Sequence, residues 1–269
     1  MILKLNSKDK LVEQVQKVVG IEPQTGNFGP KTEAAVKVWQ TKNGLTADGI
    51  VGPATLAKMG ITVTATSTPN NTSTAGAYSK DKIEAAIKVK GYKWFEGKDY
   101  HLNLVGVRNS DTGKKVTNVF DDKLTLSYQV GGQWVYKEWT ITTDPGTKGV
   151  KEYHNAAGVA RLVPGQYIDS HFLGKHQGKY DALKQIRNVK VYRDPNRDMT
   201  YDETKIQEGV FGINIHKAGK DSTYVENWSE GCQVFKREDD FNSMMEVVRK
   251  ATQVGFKSFT YTLIESKDL

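Results

Sequence analysis

The single cysteine of this chain, Cys232, sits in Ser229-Glu230-Gly231-Cys232, and His216 precedes it by fifteen intervening residues in Gly212-Ile213-Asn214-Ile215-His216. These are the residue types of thiol nucleophile chemistry. The thiolate is the attacking species, and a neighbouring imidazole makes it available near neutral pH by taking the proton. Gly231, with no Cβ, permits a sharp turn and a close backbone approach, so that amide groups around Cys232 can face a developing oxyanion. The competing reading is packing: a lone cysteine often serves as a small buried hydrophobe, and a lone histidine as a hydrogen-bonded group without chemistry.

Other chemistries have less behind them. His171 and His176 are five positions apart, not the four that align two ligands on a helix, and there is neither a His-Glu-x-x-His stretch nor a second cysteine, so neither a metal nor another cofactor is expected. Paired carboxylates leave no spacing rule in a sequence. Asp121-Asp122 and Glu238-Asp239-Asp240 read as turn and helix-start charges.

The elements that must position Cys232 and His216 read as mostly extended. Phe211 to His216 reads as a strand ending on the histidine, and Ser229 to Phe235 as a strand or turn carrying the cysteine. Upstream, Ser79 caps a short helix with Ile83, Ala86 and Ile87 on one face, and Tyr100 to Arg108 alternates as a strand. Leu124 to Val130 and Gln133 to Thr143 flank Gly131-Gly132, a strong hairpin signal. Val189 to Tyr192 adds a strand, Phe241, Met245, Val248 and Thr252 mark a helix, and Phe256 to Ile264 closes as a strand.

On these residues the C-terminal part resembles the L,D-transpeptidase (YkuD-like) catalytic domain, whose signature is a His, a loop of about this length, then Ser-x-Gly-Cys. Val163-Pro164-Gly165-Gln166-Tyr167 is similar to that family's strand entry, without its Thr and with compressed spacing. The resemblance implies a mainly β, sandwich-like α+β domain. It also implies Cys232 as nucleophile, His216 as base, and Ser229 or a nearby main-chain carbonyl as the group orienting the histidine. Two departures stand out. The family's Arg two residues after the Cys is Val234 here, with Lys236 or Arg237 as candidate replacements. The long segment from Asp169 to Asp202, carrying His171, His176 and Arg193, is a candidate lid or substrate wall, or an insertion without chemistry.

The N-terminus repeats itself: Gly26-Asn27-Phe28-Gly29-Pro30-Lys31-Thr32 returns 23 positions later as Gly49-Ile50-Val51-Gly52-Pro53-Ala54-Thr55. Each phrase starts a helix, with Gly making the turn and Pro taking the first helical position. Leu11, Val15, Val18 and Val19 form one apolar stripe, and Ala35, Val36 and Trp39 another, so three short helices are expected. Ala35-Val36-Lys37-Val38-Trp39-Gln40 and Asp48 to Thr55 resemble the peptidoglycan-binding domain type 1 family. That resemblance implies peptidoglycan as partner.

The expected organisation is therefore an all-α three-helix module at 1–61, a flexible Ser/Thr-rich linker at 62–77, and the catalytic domain at 78–269. A tether of this kind raises the local concentration of one unit near a surface held by the other. The net charge of +7 is spread over both halves, with eight lysines against five acidic residues in 1–61, and neither half is basic enough to require nucleic acid. One cysteine excludes an intramolecular disulfide. No run of eighteen apolar residues exists, and Met1 to Lys8 lacks the apolar core of a secretory signal. A monomer without membrane insertion is expected. Together the two resemblances and the missing signal resemble phage endolysins, which are made in the host cytoplasm and reach the wall through a separately made pore. They imply a peptidoglycan-degrading cysteine peptidase. Cross-linking by an L,D-transpeptidase and wall binding without catalysis are the alternatives.

Overall fold

A computed structural model describes residues 3–61, 77–152, 156–201 and 205–269. The chain divides into two compact units, Met1–Ala75 and Gly76–Leu269. Most of the expected linker, residues 62–76, lies outside the described residues.

The first unit holds α1 (Lys10–Val19), α2 (Pro30–Lys42) and α3 (Pro53–Lys58). Asp9 caps α1 by accepting the Leu11 amide, and proline opens α2 and α3, where its missing N–H costs nothing. Leu11, Val12 and Val15 turn inward with Phe28, Val36, Val51 and Leu56. Val18, expected on that stripe, is exposed, and Val12 takes the inner position instead. Each repeat is held by a buried glutamine. Gln16 donates to the Asn27 carbonyl and Thr32 Oγ1 and accepts from the Thr25 and Gly26 amides. Gln40 does the same one repeat later, donating to the Ile50 carbonyl, Asp48 Oδ1 and Thr55 Oγ1 and accepting from the Gly49 amide.

The second unit contains α4 (Lys80–Val89), β1 (Asn103–Arg108), β2 (Asp122–Val130), β3 (Gln133–Thr142), α5 (Thr147–Glu152), β4 (Val159–Leu162), β5 (Gly165–His176), β6 (Tyr180–Gln185), β7 (Val189–Asp194), β8 (Ile206–Gly209), β9 (Ile215–Lys217), β10 (Gln233–Phe235), α6 (Glu238–Gln253) and β11 (Phe259–Glu265). Instead of the expected sandwich, eight strands close into a barrel in the order β1-β11-β5-β6-β9-β10-β3-β2, with β4-β7-β8 as a separate sheet. Closure comes from pairings distant in sequence. β1 runs parallel to β11, and the short β9 and β10 bridge β6 to β3, so the edges a sandwich would leave open find partners.

Local signals place the rest. Gly131 and Gly132 both take positive φ, the conformation a two-residue hairpin turn requires, and β2 and β3 pair along their full length around them. β1 does not alternate in burial. Leu104 faces the barrel core, while Val105 and Val107 lie under Ile83, Ala86 and Ile87 of α4, whose N-terminus Ser79 caps. On α6, Phe241, Met244, Met245 and Val248 join the barrel core, and this helix packs on β9, β10 and β5. Phe241 and Met245 are thus core residues that anchor the two shortest strands. The segment 169–202 is largely β5, β6 and β7 as far as Tyr201, barrel wall and sheet rather than a lid. Among the described residues, no helix is long and apolar enough to cross a membrane.

Candidate active site

His216 is the middle residue of β9, and Cys232 immediately precedes β10. The two strands run parallel, with Ile215 opposite Gln233 and His216 opposite Val234. Strand alternation then fixes the faces. Ile215 and Phe235 enter the barrel core and Gln233 Oε1 accepts from Tyr261 Oη, whereas His216, Val234 and Cys232 take the other face. There Val234, fully buried, packs with Phe120, Ala218 and Val225, and Cys232 lies against this cluster. The position that holds Arg in the resembled family is therefore an apolar contact here.

The approach to His216 is not the strand expected from Phe211 onward, since β9 begins only at Ile215. A side chain replaces the missing ladder. Gln185 Oε1 accepts the Phe211 and Ile213 amides, its Nε2 donates to the Gly209 carbonyl, and its own amide donates to Asn214 Oδ1.

The His216 ring is held at an edge and a face. Nδ1 lies 2.9 Å from the Lys217 carbonyl, which can only accept, so neutral His216 carries its proton on Nδ1 and leaves Nε2 bare. His176, at the end of β5, stacks on the ring with centroids 4.2 Å apart. Tyr180 Oη donates to the same Lys217 carbonyl at 3.4 Å.

Ser229 does not reach His216, so of the two orienting groups expected, the main-chain carbonyl is the one in place. The Ser229 hydroxyl instead donates to the Cys232 carbonyl at 2.9 Å and accepts the Gly231 amide at 3.2 Å, which closes the turn in front of the cysteine. Gly231 is required there. Its φ is +134°, and a Cβ would stand 2.5 Å from the Ala160 carbonyl oxygen. Behind this turn, the Gly146 amide donates to the Ser229 carbonyl, Gly149 to Glu226 and Ala160 to Glu230. That backing is tied down by buried charge: Arg108 and Arg161 both grip Asp144, at 3.0 and 2.9 Å.

The half-buried Cys232 thiol donates to the Gly212 carbonyl at 3.3 Å. Among the described residues, no hydrogen bond joins it to His216. Burial pushes the thiol up to about 11, against a lowering by the Asn214 amide. Burial, and then repulsion from His176, holds His216 down to about 4, with the Lys217 carbonyl opposing. Near neutral pH the site therefore pairs a neutral thiol with a neutral imidazole.

The other sequence candidates stand elsewhere. His171 is fully enclosed, with Nδ1 on Ser170 Oγ and Nε2 on the Ile213 carbonyl, so it braces the segment before β9 and offers no atom to a substrate. Arg193 is buried, donating to Gln207 Oε1 and the Gly158 carbonyl with its guanidinium over Phe211. Lys236 pairs with Asp221 at 2.8 Å. Arg237 takes the N-cap position of α6 with Asp239 at 3.9 Å, and neither cation fills the place of the missing Arg. Sequence reasoning missed Lys217, whose contribution is a backbone oxygen with no residue-type signature, and Gln185, whose role depends on the fold. Among the described residues, no group of three His, Cys, Asp or Glu side chains is arranged to hold a metal.

Residues 10–59 match PG_binding_1, "Putative peptidoglycan binding domain". An "Uncharacterized protein in bpoA1 3'region" from Kitasatospora aureofaciens is 65% identical over 34 residues, which are 13% of this chain and 29% of that protein. The match thus spans less than a third of that relative. Among solved structures, the chain is similar to a fused Zn-dependent amidase/peptidase/peptidoglycan-binding domain-containing protein from Clostridium acetobutylicum, at 13% identity, TM-score 0.23, and coverage of 98% of this chain and 99% of that one. It is also similar to the L,D-transpeptidase (residues 123–326) from Xylanimonas cellulosilytica, at 14% identity, TM-score 0.21, and coverage of 98% of both chains. The chain carries a helical N-terminal region that matches a putative peptidoglycan-binding domain, followed by a mainly β unit.

Proposed function

We propose that this protein is a cysteine peptidase that hydrolyses L,D bonds in peptidoglycan stem peptides, as a wall-degrading endolysin does. One observation carries the reading: Cys232 and His216 share a face of adjacent parallel strands, with the imidazole locked so that Nε2 is the free base, in a chain that begins with a peptidoglycan-binding region. In this reading Sγ leaves the Gly212 carbonyl to meet His216. The thiol proton passes to Nε2 as sulfur bonds the scissile carbonyl carbon, and the Cys232 amide donates to the oxyanion, since the Gly231 amide is already engaged by Ser229. The carbon–nitrogen bond breaks, the amine leaves with the proton from His216, and water, deprotonated by the same nitrogen, cleaves the thioester.

The preference for a bond next to a diamino acid follows the family resemblance. So does the place of action, the bacterial cell wall. Digestion of purified peptidoglycan in H₂¹⁸O tests the choice of acceptor. Hydrolysis puts one ¹⁸O into each new carboxyl end. Joined stems without ¹⁸O would make the protein a transpeptidase instead.

A second reading, wall binding without catalysis, is favoured by the thiol's engagement with Gly212 and by Val234. It predicts no Cys232-dependent product on any wall type.

A further inference from the structure

The stacked ring on His216 has a role beyond filling space. His176 ends β5, directly opposite Tyr180 of β6, and lies nearly flat on His216, with centroids 4.2 Å apart and planes 22° apart. Tyr180 leans on the other ring of this pair at 5.4 Å from His176. His176 Nδ1 is enclosed without a hydrogen-bond partner, unusual for a buried ring nitrogen and costly if protonated. A histidine kept for its own hydrogen bonds would use that atom. This one contributes a flat, neutral face.

We propose that His176 is a positioning residue for His216: its ring covers one face of the imidazole and keeps Nδ1 on the Lys217 carbonyl, which leaves Nε2 as the only basic atom of the ring. The inference rests on the reading of His216 as the base. The Nδ1 bond holds one edge of the ring, and the face contact opposes rotation about the Cβ–Cγ bond that would carry Nδ1 off the carbonyl. Tyr180 completes the frame by donating to the same carbonyl, while Lys217 Nζ lies 5.0 Å from the Tyr180 ring and pairs with Glu238 of α6.

The surroundings keep His176 uncharged. Burial first, and then Lys184 of β6 and Lys179 of the β5–β6 turn, hold its imidazole below the usual histidine range. Tyr180 of β6 lies beside it, with Lys217 Nζ of β9 over the tyrosine ring and Glu238 of α6 paired to that lysine. Near neutral pH the uncharged His176 does not oppose the imidazolium that forms when His216 takes a proton; its repulsion lowers His216 only where His176 is itself protonated.

The test uses the full chain with His176→Ala and His176→Phe, and two readouts. One is kcat and KM for stem-peptide cleavage; the other is the NMR titration of the His216 ring, which needs no activity. Misplacement of a catalytic group costs on the order of ten- to a hundredfold in rate. His176→Ala is expected to lose kcat in that range with KM within about twofold, and His176→Phe, which restores a flat face, to recover most of it. In His176→Ala the His216 midpoint should rise and its Nδ1 proton should exchange faster. Wild-type kcat in His176→Ala, or an equal loss in His176→Phe, would overturn the proposal. So would an unmoved His216 titration in a folded, active variant. A shifted titration in a protein without Cys232-dependent cleavage would sustain the positioning role and defeat the catalytic reading instead.

Discussion

Val234 stands opposite His216 in the parallel β9–β10 pair, and this single register relationship puts Cys232, two residues before Val234, on the face of the histidine. A slip of one residue would turn the cysteine into the barrel core. The site therefore depends on the shortest strands of the barrel, against which α6 packs.

The first prediction concerns the free thiol. With Cys232 pushed up to about 11, the rate of alkylation by iodoacetamide should be slow at pH 7 and climb about tenfold per pH unit through pH 9. Mass spectrometry of quenched samples measures it. A plateau below pH 8 would mean a preformed thiolate.

A base held down to about 4 stays neutral well below the ordinary histidine range. Activity should persist at pH 5 and disappear as the pH falls through about 4, because protonated His216 cannot accept the thiol proton. The pH profile of kcat/KM reports this limb on the free enzyme. An acid limb between 6 and 7 would contradict the buried, stacked environment.

Stability has its own acid dependence. His171 and His216 are both lowered to about 4, below their unfolded values near 6.5. The unfolded chain then binds more protons between those values, so the contribution of each histidine is complete above about 6.5 and is lost as pH falls toward 4, up to roughly 3 kcal/mol apiece. Denaturant unfolding of the second unit at pH 7 and pH 4.5 should differ accordingly. In His171→Phe the difference should shrink.

Gly231→Ala should destabilise by about 2–4 kcal/mol, combining a backbone conformation closed to L side chains with a Cβ 2.5 Å from the Ala160 oxygen. Chemical denaturation measures this. A loss below about 0.5 kcal/mol would mean that the turn before Cys232 relaxes freely.

Gln40→Ala should unfold or loosen the N-terminal unit, since it strands the buried Gly49 amide, at roughly 1–3 kcal/mol, and leaves the Ile50 carbonyl only its long bond from Thr55 Oγ1. Hydrogen exchange at Gly49 and sedimentation with insoluble peptidoglycan both read it. Unchanged exchange would show that the glutamine clamp is incidental.

Much of this was legible where the signal is local. α2 and α3 followed from the two Gly-Pro phrases, α1 from its apolar stripe, α4 from Ser79, and the β2–β3 hairpin from Gly131-Gly132, because each is set by preferences within a few residues. Barrel closure was not, since it depends on β1 meeting β11 from the other end of the unit and on the single Leu183–Ile215 pairing between β6 and β9. For the same reason His171 and His176 looked alike in sequence, yet one is a sealed brace and the other lies against His216. Residue type names a titratable group, and only the fold says what surrounds it.

The most direct test is to incubate purified peptidoglycan of known stem chemistry with the protein and with Cys232→Ala, quench in acid, and weigh both the released fragments and the intact protein. The account predicts new stem-peptide carboxyl ends with the wild type and none with Cys232→Ala. It also predicts a stem-fragment adduct on the Cys232 peptide at early times. Equal fragment release by Cys232→Ala would contradict it.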